Sequence, residues 1–261
     1  MITLSGIPVF SFESIDSTNE EALRRLAAGQ TPPPFWITAS EQTKGRGRAG
    51  RRWQSPRGNL YATLVFEPGV TAAVATELSF VAGLAAHSAI AAHLAAEQRP
   101  HLRLKWPNDV MLGQAKLAGI LLESLGSSKG RKLAVILGIG INVSNAPPAA
   151  DRAVASLGLD DTDVRRIFTS LASALESWLA LWDKGRGFPE IRESWLGHAF
   201  ALNEFISVNL NGSAIRGRFR GLDAAGALQL ETKPGVVLTV TAGDIYPDAT
   251  PEPTKQGAEP Q

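Results

Sequence analysis

Residues 133–143 read LAVILGIGINV, eleven positions with one polar side chain, Asn142. So continuous an apolar run predicts a strand buried on both faces. A chain containing such a strand must build a sheet and cover it on either side. Two positions in the run are glycine, Gly138 and Gly140, so whatever lies against this strand can approach its backbone closely.

Other segments supply the sheet and its cover. Residues 7–12, 35–37, 59–66 and 102–106 have strand composition, and Pro107 ends the last of these. Met111 and Leu112 continue briefly, and after a turn near Gly113 the stretch KLAGILLES, beginning at Lys116, completes a hairpin. Asn108 and Asp109 therefore stand at a strand end, and Lys116 projects from the hairpin base. Helices are expected at 17–28, stopped by Gly29, at 72–98 with a stripe of Val74, Leu78, Val81 and Ala85, at 164–181, and at 188–197. Along 164–181 the apolar positions are Val164, Ile167, Leu171, Leu175, Trp178 and Leu181. From 205 onward the texture changes to short strands: a hairpin with Asn211-Gly212 as a type I′ turn, then 227–232 and 236–241, suggesting a small barrel. Residues 248–261 hold proline and charge without an aromatic and read as a disordered tail.

The most unusual composition lies at 36–58, WITASEQTKGRGRAGRRWQSPRG. Glycine provides tight turns and close approach; arginine provides permanently charged planar forks that fit carboxylate and phosphate oxygens. Alternating the two describes a loop closing over an anion. Gly45-x-Gly47-x-x-Gly50 also matches the dinucleotide fingerprint. That fingerprint must open a helix, and RRWQSPRG cannot.

Ser17 and Glu20 have the spacing of a capping box, which by itself accounts for both. The same helix start offers Ser17, Thr18 and Asn19 to a polar ligand. Trp53 reads equally as an apolar wall of a site or as an anchor for the loop.

Composition excludes several classes. With no cysteine in 261 residues there is no thiolate nucleophile, disulfide or cysteine-bound zinc, which suits a reducing cytoplasm. His87, His93, His101 and His198 read as scattered structural residues. A net charge of +1 makes the basic loop a local feature and argues against a nucleic-acid-coating role. No apolar run approaches the ~20 residues of a membrane span, and the N-terminus lacks signal-peptide character.

Taken in order, Ser17-Thr18-Asn19, Glu41 to Arg48 running on to Trp53, Lys105-Trp106-Pro107-Asn108-Asp109, Lys116-Leu117-Ala118-Gly119-Ile120 and Gly138-Ile139-Gly140-Ile141-Asn142 resemble the biotin protein ligases over residues 12–247. The resemblance implies an α+β fold: a mixed-sheet catalytic domain of the biotin/lipoate ligase type at 1–203, then a small SH3-like β-barrel at 204–247. It implies that biotin and MgATP give biotinyl-5′-AMP, and that biotin then passes to a lysine of a biotin carboxyl carrier protein domain. By resemblance, Ser17, Thr18, Asn19 and Gln42 contact biotin, with Trp53 beside them. Arg46, Gly47 and Arg48 hold its carboxylate and the adenylate, Lys116 reaches carboxylate and phosphate, and Asn142 reads adenine. Asn108 and Asp109 lie by the triphosphate and magnesium, and Asp109 is alternatively a helper in acceptor-lysine deprotonation. Arg46, Arg48 and Lys116 are the expected catalytic residues. Sixteen residues precede the Ser-Thr-Asn motif, so the DNA-binding domain of bifunctional relatives is not expected here. Monomer and homodimer both stay open. A lipoate or octanoate ligase is the nearest rival, but a lipoyl chain offers nothing to match the polar Ser17-Thr18-Asn19 and Gln42 set.

Overall fold

The computed structural model describes residues 6–126, 132–149, 152–210 and 213–247. The chain divides into two compact units, Met1–Phe200 and Ala201–Gln261.

In the first unit the apolar run forms β7 (Ala134–Ile141), near the middle of a seven-stranded sheet. The others are β1 (Val9–Phe12), β2 (Phe35–Ala39), β3 (Leu60–Phe66), β4 (Leu102–Lys105), β5 (Asp109–Leu112) and β6 (Ala115–Leu125). Their order is β1-β2-β3-β7-β6-β5-β4, with β1 parallel to β2 and every other pair antiparallel.

Register decides what each face carries, because side chains alternate along a strand. Three neighbouring rows cross β2, β3, β7 and β6: Phe35-Val65-Ile136-Glu123, Ile37-Thr63-Gly138-Leu121 and Ala39-Tyr61-Gly140-Gly119. The first row is largely apolar and receives α1 (Thr18–Ala28), whose Ala22 packs with Phe35, Ile37, Val65 and Ile136. The third row has glycines where side chains would stand. This end of the face is open to polar groups.

The opposite face is covered by α3 (Leu78–Ala91) and α4 (Val164–Trp182), and α5 (Phe188–Gly197) packs against these two helices. Trp36 meets Phe168 of α4 edge-on, at 5.2 Å between centroids. The buried stripe of α4 is Ile167, Leu171, Leu175, Leu179 and Trp182. Leu181, expected in that stripe, is exposed, because a 3.6-residue period carries the stripe to Trp182 by the last turn.

The single helix expected at 72–98 is instead a short α2 (Ala72–Ala75) followed by α3. Thr76 interrupts it by donating both its hydroxyl and its N–H to Ala73 O, at 2.7 and 3.3 Å. Beyond Ala91 the chain passes into turns and a 3-10 segment at Arg99–His101 containing Pro100, which cannot continue a helix. One expectation about membranes is also corrected. Ala72–Ala91 is 20 residues long with mean hydropathy 1.4, apolar enough to span by length and composition. Counting uninterrupted apolar residues missed it because Thr76, Glu77, His87 and Ser88 punctuate the stretch. Its most apolar 18-residue window is 67% buried inside the fold, and α3, which makes up most of the stretch, is a core helix.

The second unit is a five-stranded antiparallel sheet of β8 (Phe205–Leu210), β9 (Ser213–Leu222), β10 (Leu228–Lys233), β11 (Val236–Val240) and β12 (Asp244–Pro247). Ile206, Val208, Phe219, Leu228, Leu230 and Ile245 form its core. Its order is β11-β10-β9-β8-β12, and among the described residues no ladder closes β11 onto β12, so the barrel expected from sequence is an open sheet here. β12 was not anticipated; at four residues it carries little pattern. The turn at 211–212 and the tail at 248–261 lie outside the described residues.

Candidate active site

The basic loop doubles back on itself. Gln42 N–H donates to Ser55 O at 3.1 Å, Trp53 N–H to Gly45 O at 2.9 Å, and Gly47 N–H to Arg51 O at 2.7 Å. The turn at its tip is left-handed at Ala49 (φ 53°) and Gly50 (φ 70°). A Cβ on Gly45 would collide with Trp53 O and Ser55 Oγ. Glycine at 45 is therefore required by the loop's own return strand, whereas the sequence reading gave the loop glycines to ligand closure.

The start of α1 also differs from expectation. Ser17 is the N-cap residue, but its side chain makes no cap hydrogen bond. The first N–H groups are satisfied from outside the helix: Ser17 N–H by Asp16 Oδ1 at 2.7 Å, and Thr18 N–H by Gln42 Oε1 at 2.9 Å. Arg24 hydrogen-bonds Asp16 and holds its carboxyl at about 2. Glu20, the other half of the expected capping box, pairs with Arg46. The box fails because Glu20 is taken by Arg46, while the first N–H groups are already met by Asp16 and Gln42.

Around this helix start a polar network forms on the sheet face. Thr18 Oγ1 lies 3.1 Å from Gln42 Oε1, and Gln42 Nε2 donates to Ser55 Oγ at 2.9 Å. Thr63 Oγ1 is 2.8 Å from Thr18 Oγ1 and 2.7 Å from Asn19 Oδ1. Asn19 Nδ2 donates to Glu123 Oε2 at 2.7 Å. Glycine at 138 makes room for this, since a Cβ there would overlap Asn19 Oδ1. Ser17, Thr18, Asn19 and Thr63 are all buried.

The cations gather beside the network. Arg46 Nη2 contacts Glu20, and Glu123 Oε1 at 3.2 Å. Arg48 Nη1 donates to Asn108 Oδ1 at 3.2 Å, and Asn108 is itself fixed by Nδ2 to Ile120 O at 2.7 Å. Lys116 Nζ and Asp109 Oδ1 form an ion pair at 2.5 Å, with both side chains 12% exposed. Lys116 Nζ also stands 5.1 Å from the Trp53 ring centroid. Trp53 lies on Gly140, where a Cβ would meet its Nε1 at 2.8 Å, and beside Gly119. Asn142 donates Nδ2 to Ala155 O at 2.9 Å, leaving Oδ1 directed away from that bond.

Among the described residues three buried side-chain polar atoms have neither a hydrogen-bond nor an ion-pair partner: Arg46 Nε, Trp53 Nε1 and Asn142 Oδ1. All three belong to residues singled out from sequence. Leaving a buried polar atom unpaired costs about 1–3 kcal/mol, so their concentration in one region marks a site completed by something polar.

Arg51, Arg52 and Arg57 stay out of this cluster. Arg51 Nε donates to Arg48 O at 3.3 Å, Arg52 is exposed opposite Arg46 in the loop ladder, and Arg57 pairs with Glu13 at 2.8 Å. Among the described residues no three His, Cys, Asp or Glu side chains gather as a metal site. The histidines are less scattered than expected: His87 and His198 stack at 4.0 Å, and burial lowers both, His87 to about 4.

Sequence reasoning missed Thr63, Ser55 and Glu123. Thr63 is the one hydroxyl inside LYATLVF that faces the helix start, and Glu123 is the one acid in KLAGILLES. A lone polar group in an apolar strand was the available signal, but the partner waiting across the sheet was not visible.

Residues 11–142 match the Biotin/lipoate A/B protein ligase family, and residues 201–246 match the Biotin protein ligase C terminal domain. A biotin–[acetyl-CoA-carboxylase] ligase of Paracoccus denitrificans is 42% identical over 84% of this chain and 92% of its own. The structure of a biotin protein ligase from Aquifex aeolicus in complex with biotin and ATP superposes with a TM-score of 0.75 at 26% identity, covering 92% of this chain and 97% of that one. That of the Leishmania major enzyme in complex with biotinyl-5-AMP gives 0.59 at 27% identity, covering 90% and 99%. The chain belongs to the biotin/lipoate protein ligase family, and within it to the biotin protein ligases.

Proposed function

We propose that the protein joins biotin to ATP as biotinyl-5′-AMP and transfers the biotinyl group to a lysine of a biotin carboxyl carrier protein domain. The observation that carries this is the set of buried polar atoms left without a partner beside the basic loop, two of which match pieces of that intermediate. Arg46 Nε offers a charged donor to a carboxylate or phosphate oxygen. Asn142 Oδ1 is an acceptor, as an exocyclic adenine amine requires.

In the first step a biotin carboxylate oxygen attacks the α-phosphorus, an O–P bond forms, and pyrophosphate leaves. Two anions must meet, so catalysis rests on positioning and on cations where charge builds. Arg46, Arg48 and Lys116 are those cations, with Gly47 letting the backbone pass close to the ligand. Asn108 holds the Arg48 fork and Asp109 holds Lys116. Ser17, Thr18, Asn19 and Gln42 bind the ureido ring, and Trp53 lines the chain. Magnesium fits as an ion delivered by the triphosphate, with one protein carboxylate at Asp109, because Mg²⁺ is usually bound through one or two carboxylates plus substrate phosphates. When bound it would neutralise phosphate charge. In the second step the acceptor lysine amine, having lost a proton, attacks the acyl carbon; the C–N bond forms and AMP leaves. No protein nucleophile takes part.

The test is ATP–pyrophosphate exchange with biotin, lipoate and octanoate measured side by side. Exchange stimulated by biotin is expected. Stimulation by lipoate alone would replace this reading with the lipoate-ligase one.

A further inference from the structure

We propose that Glu123 is a positioning residue that sets the hydrogen-bonding polarity of Asn19, and through it the preference for a substrate ring that donates N–H. The proposal deepens the biotin reading above and rests on it.

An asparagine amide presents either its oxygen or its NH₂ to a ligand, depending on which way it is turned. Nothing in Asn19 itself decides. A carboxylate accepts hydrogen bonds and cannot donate them. Glu123 Oε2, 2.7 Å from Asn19 Nδ2, therefore admits one orientation, with NH₂ toward β6 and Oδ1 toward the centre of the sheet. Turning the amide over would put its oxygen against the carboxylate with no proton between. Thr63 Oγ1, 2.7 Å from Asn19 Oδ1, stands on the far side of the amide. Glycine at 138 keeps β7 flat beneath it, and Asn19 is 3% exposed, so the group is sandwiched rather than free to adapt. An oxygen with two lone pairs, one met by Thr63, remains an acceptor for a ring N–H.

The same carboxylate contacts Arg46 Nη2 at 3.2 and 3.4 Å. A neutral amide at 123 would lose this charge contact and gain the ability to donate. Glu123→Gln thus removes the constraint while keeping the shape: the introduced glutamine can give its NH₂ to Asn19 Oδ1 and invert the reading amide.

The test is a double-mutant cycle with Glu123→Gln, Asn19→Asp and the two combined, read as KM for biotin and for ATP and as kcat in pyrophosphate exchange. Glu123→Gln is expected to raise the biotin KM about tenfold, as for one misdirected buried hydrogen bond, with kcat and the ATP KM, which sense the lost Arg46 contact, changed less than the biotin KM. Asn19→Asp alone sets two carboxylates face to face and is expected to be worse. In the combined variant the new aspartate accepts from the new glutamine and again offers an oxygen to the ring, so the biotin KM should return to within about threefold of wild type. A purely structural role would not produce that recovery. Thermal unfolding of each variant checks folding, and if Asn19→Asp does not fold, recovery of the combined variant relative to Glu123→Gln still decides. Biotin-dependent exchange in the wild type with no recovery in the combined variant, or a wild-type biotin KM in Glu123→Gln, would overturn the Glu123 proposal alone. Absence of biotin-dependent exchange in the wild type would overturn the parent reading and this one with it.

Discussion

Gly140→Ala tests whether the tryptophan of the basic loop is seated on the central strand for a reason. A Cβ at 140 would stand 2.8 Å from Trp53 Nε1, 2.9 Å from Cε2 and 3.1 Å from Cζ2. Ordinary carbon contacts lie near 3.5–4.0 Å, so the ring must retreat by roughly half an ångström or more. It cannot retreat alone, because Trp53 N–H is bonded to Gly45 O and the ring lies beneath Lys116. Overpacking of this kind costs about 1–3 kcal/mol. If the loop lifts, the cost falls on the positions of Arg46 and Arg48, and adenylation should slow about 10- to 100-fold with little change in melting temperature. If the loop holds, the cost appears as stability, roughly 2–4 °C per kcal/mol for a unit of this size. Pyrophosphate exchange and calorimetry on the same preparation separate the two. Trp53→Leu supplies the control: with the ring gone, adding Gly140→Ala should change rate and stability far less than it does in the wild type. An alanine tolerated outright at 140, or one equally costly in the Trp53→Leu background, would refute the packing argument.

Other perturbations address the charges. Arg48→Ala should slow adenylate formation by about 100-fold, as for loss of one preorganised donor; near-normal biotin-dependent exchange would count against it. Arg46→Gly should release the adenylate sooner, read as label spreading to bystander proteins, and spread no greater than wild type would remove Arg46 from the groups that hold the adenylate. Lys116→Ala should impair the first step in single-turnover measurements, where unchanged formation of the adenylate would take it out of the site. The buried His87 gives a pH dependence. Its folded-state value of about 4 lies below its ordinary 6.5, so between these the unfolded chain binds more protons. The contribution is fully present above pH 6.5 and is lost as pH falls toward 4, up to about 3 kcal/mol by linkage. His87→Gln should flatten the fall of the urea midpoint over that window, and an unchanged slope would argue against it.

What was legible in the sequence and what was not follows from the range of the interactions. The α1 helix could be read to its last residue because its ending is local: Gly29 takes φ 61° and closes the helix with its own N–H. β7 could be placed inside the sheet because burial on both faces is written into its composition. The capping box was undone partly by a neighbour, Asp16, which takes the Ser17 N–H, and partly by Gln42 and Arg46, which lie more than twenty residues away and reach α1 only through the fold. Glu123 was hidden for the same reason, being 104 residues from Asn19. Its place became visible only once register put it in the row of Ile136, next to the row of Gly138, on the side of the sheet where α1 lies.

The glycines of 138–140 tie these observations together. Their spacing suggested close approach to a strand, without saying by what. The structure gives each a different visitor: Asn19 at Gly138 and Trp53 at Gly140. One belongs to the helix that the resemblance assigns to the biotin ring, the other to the loop it assigns to the adenylate. Adjacent positions on one face of a strand are about 7 Å apart. Two absent side chains on β7 therefore fix how far the ring-reading amide lies from the wall of the basic loop. A substitution at either glycine should be felt by both halves of the substrate, whereas one at Leu121, in the row of Gly138, or at Ile136, in the row next to it, both positions already filled, should register as packing alone.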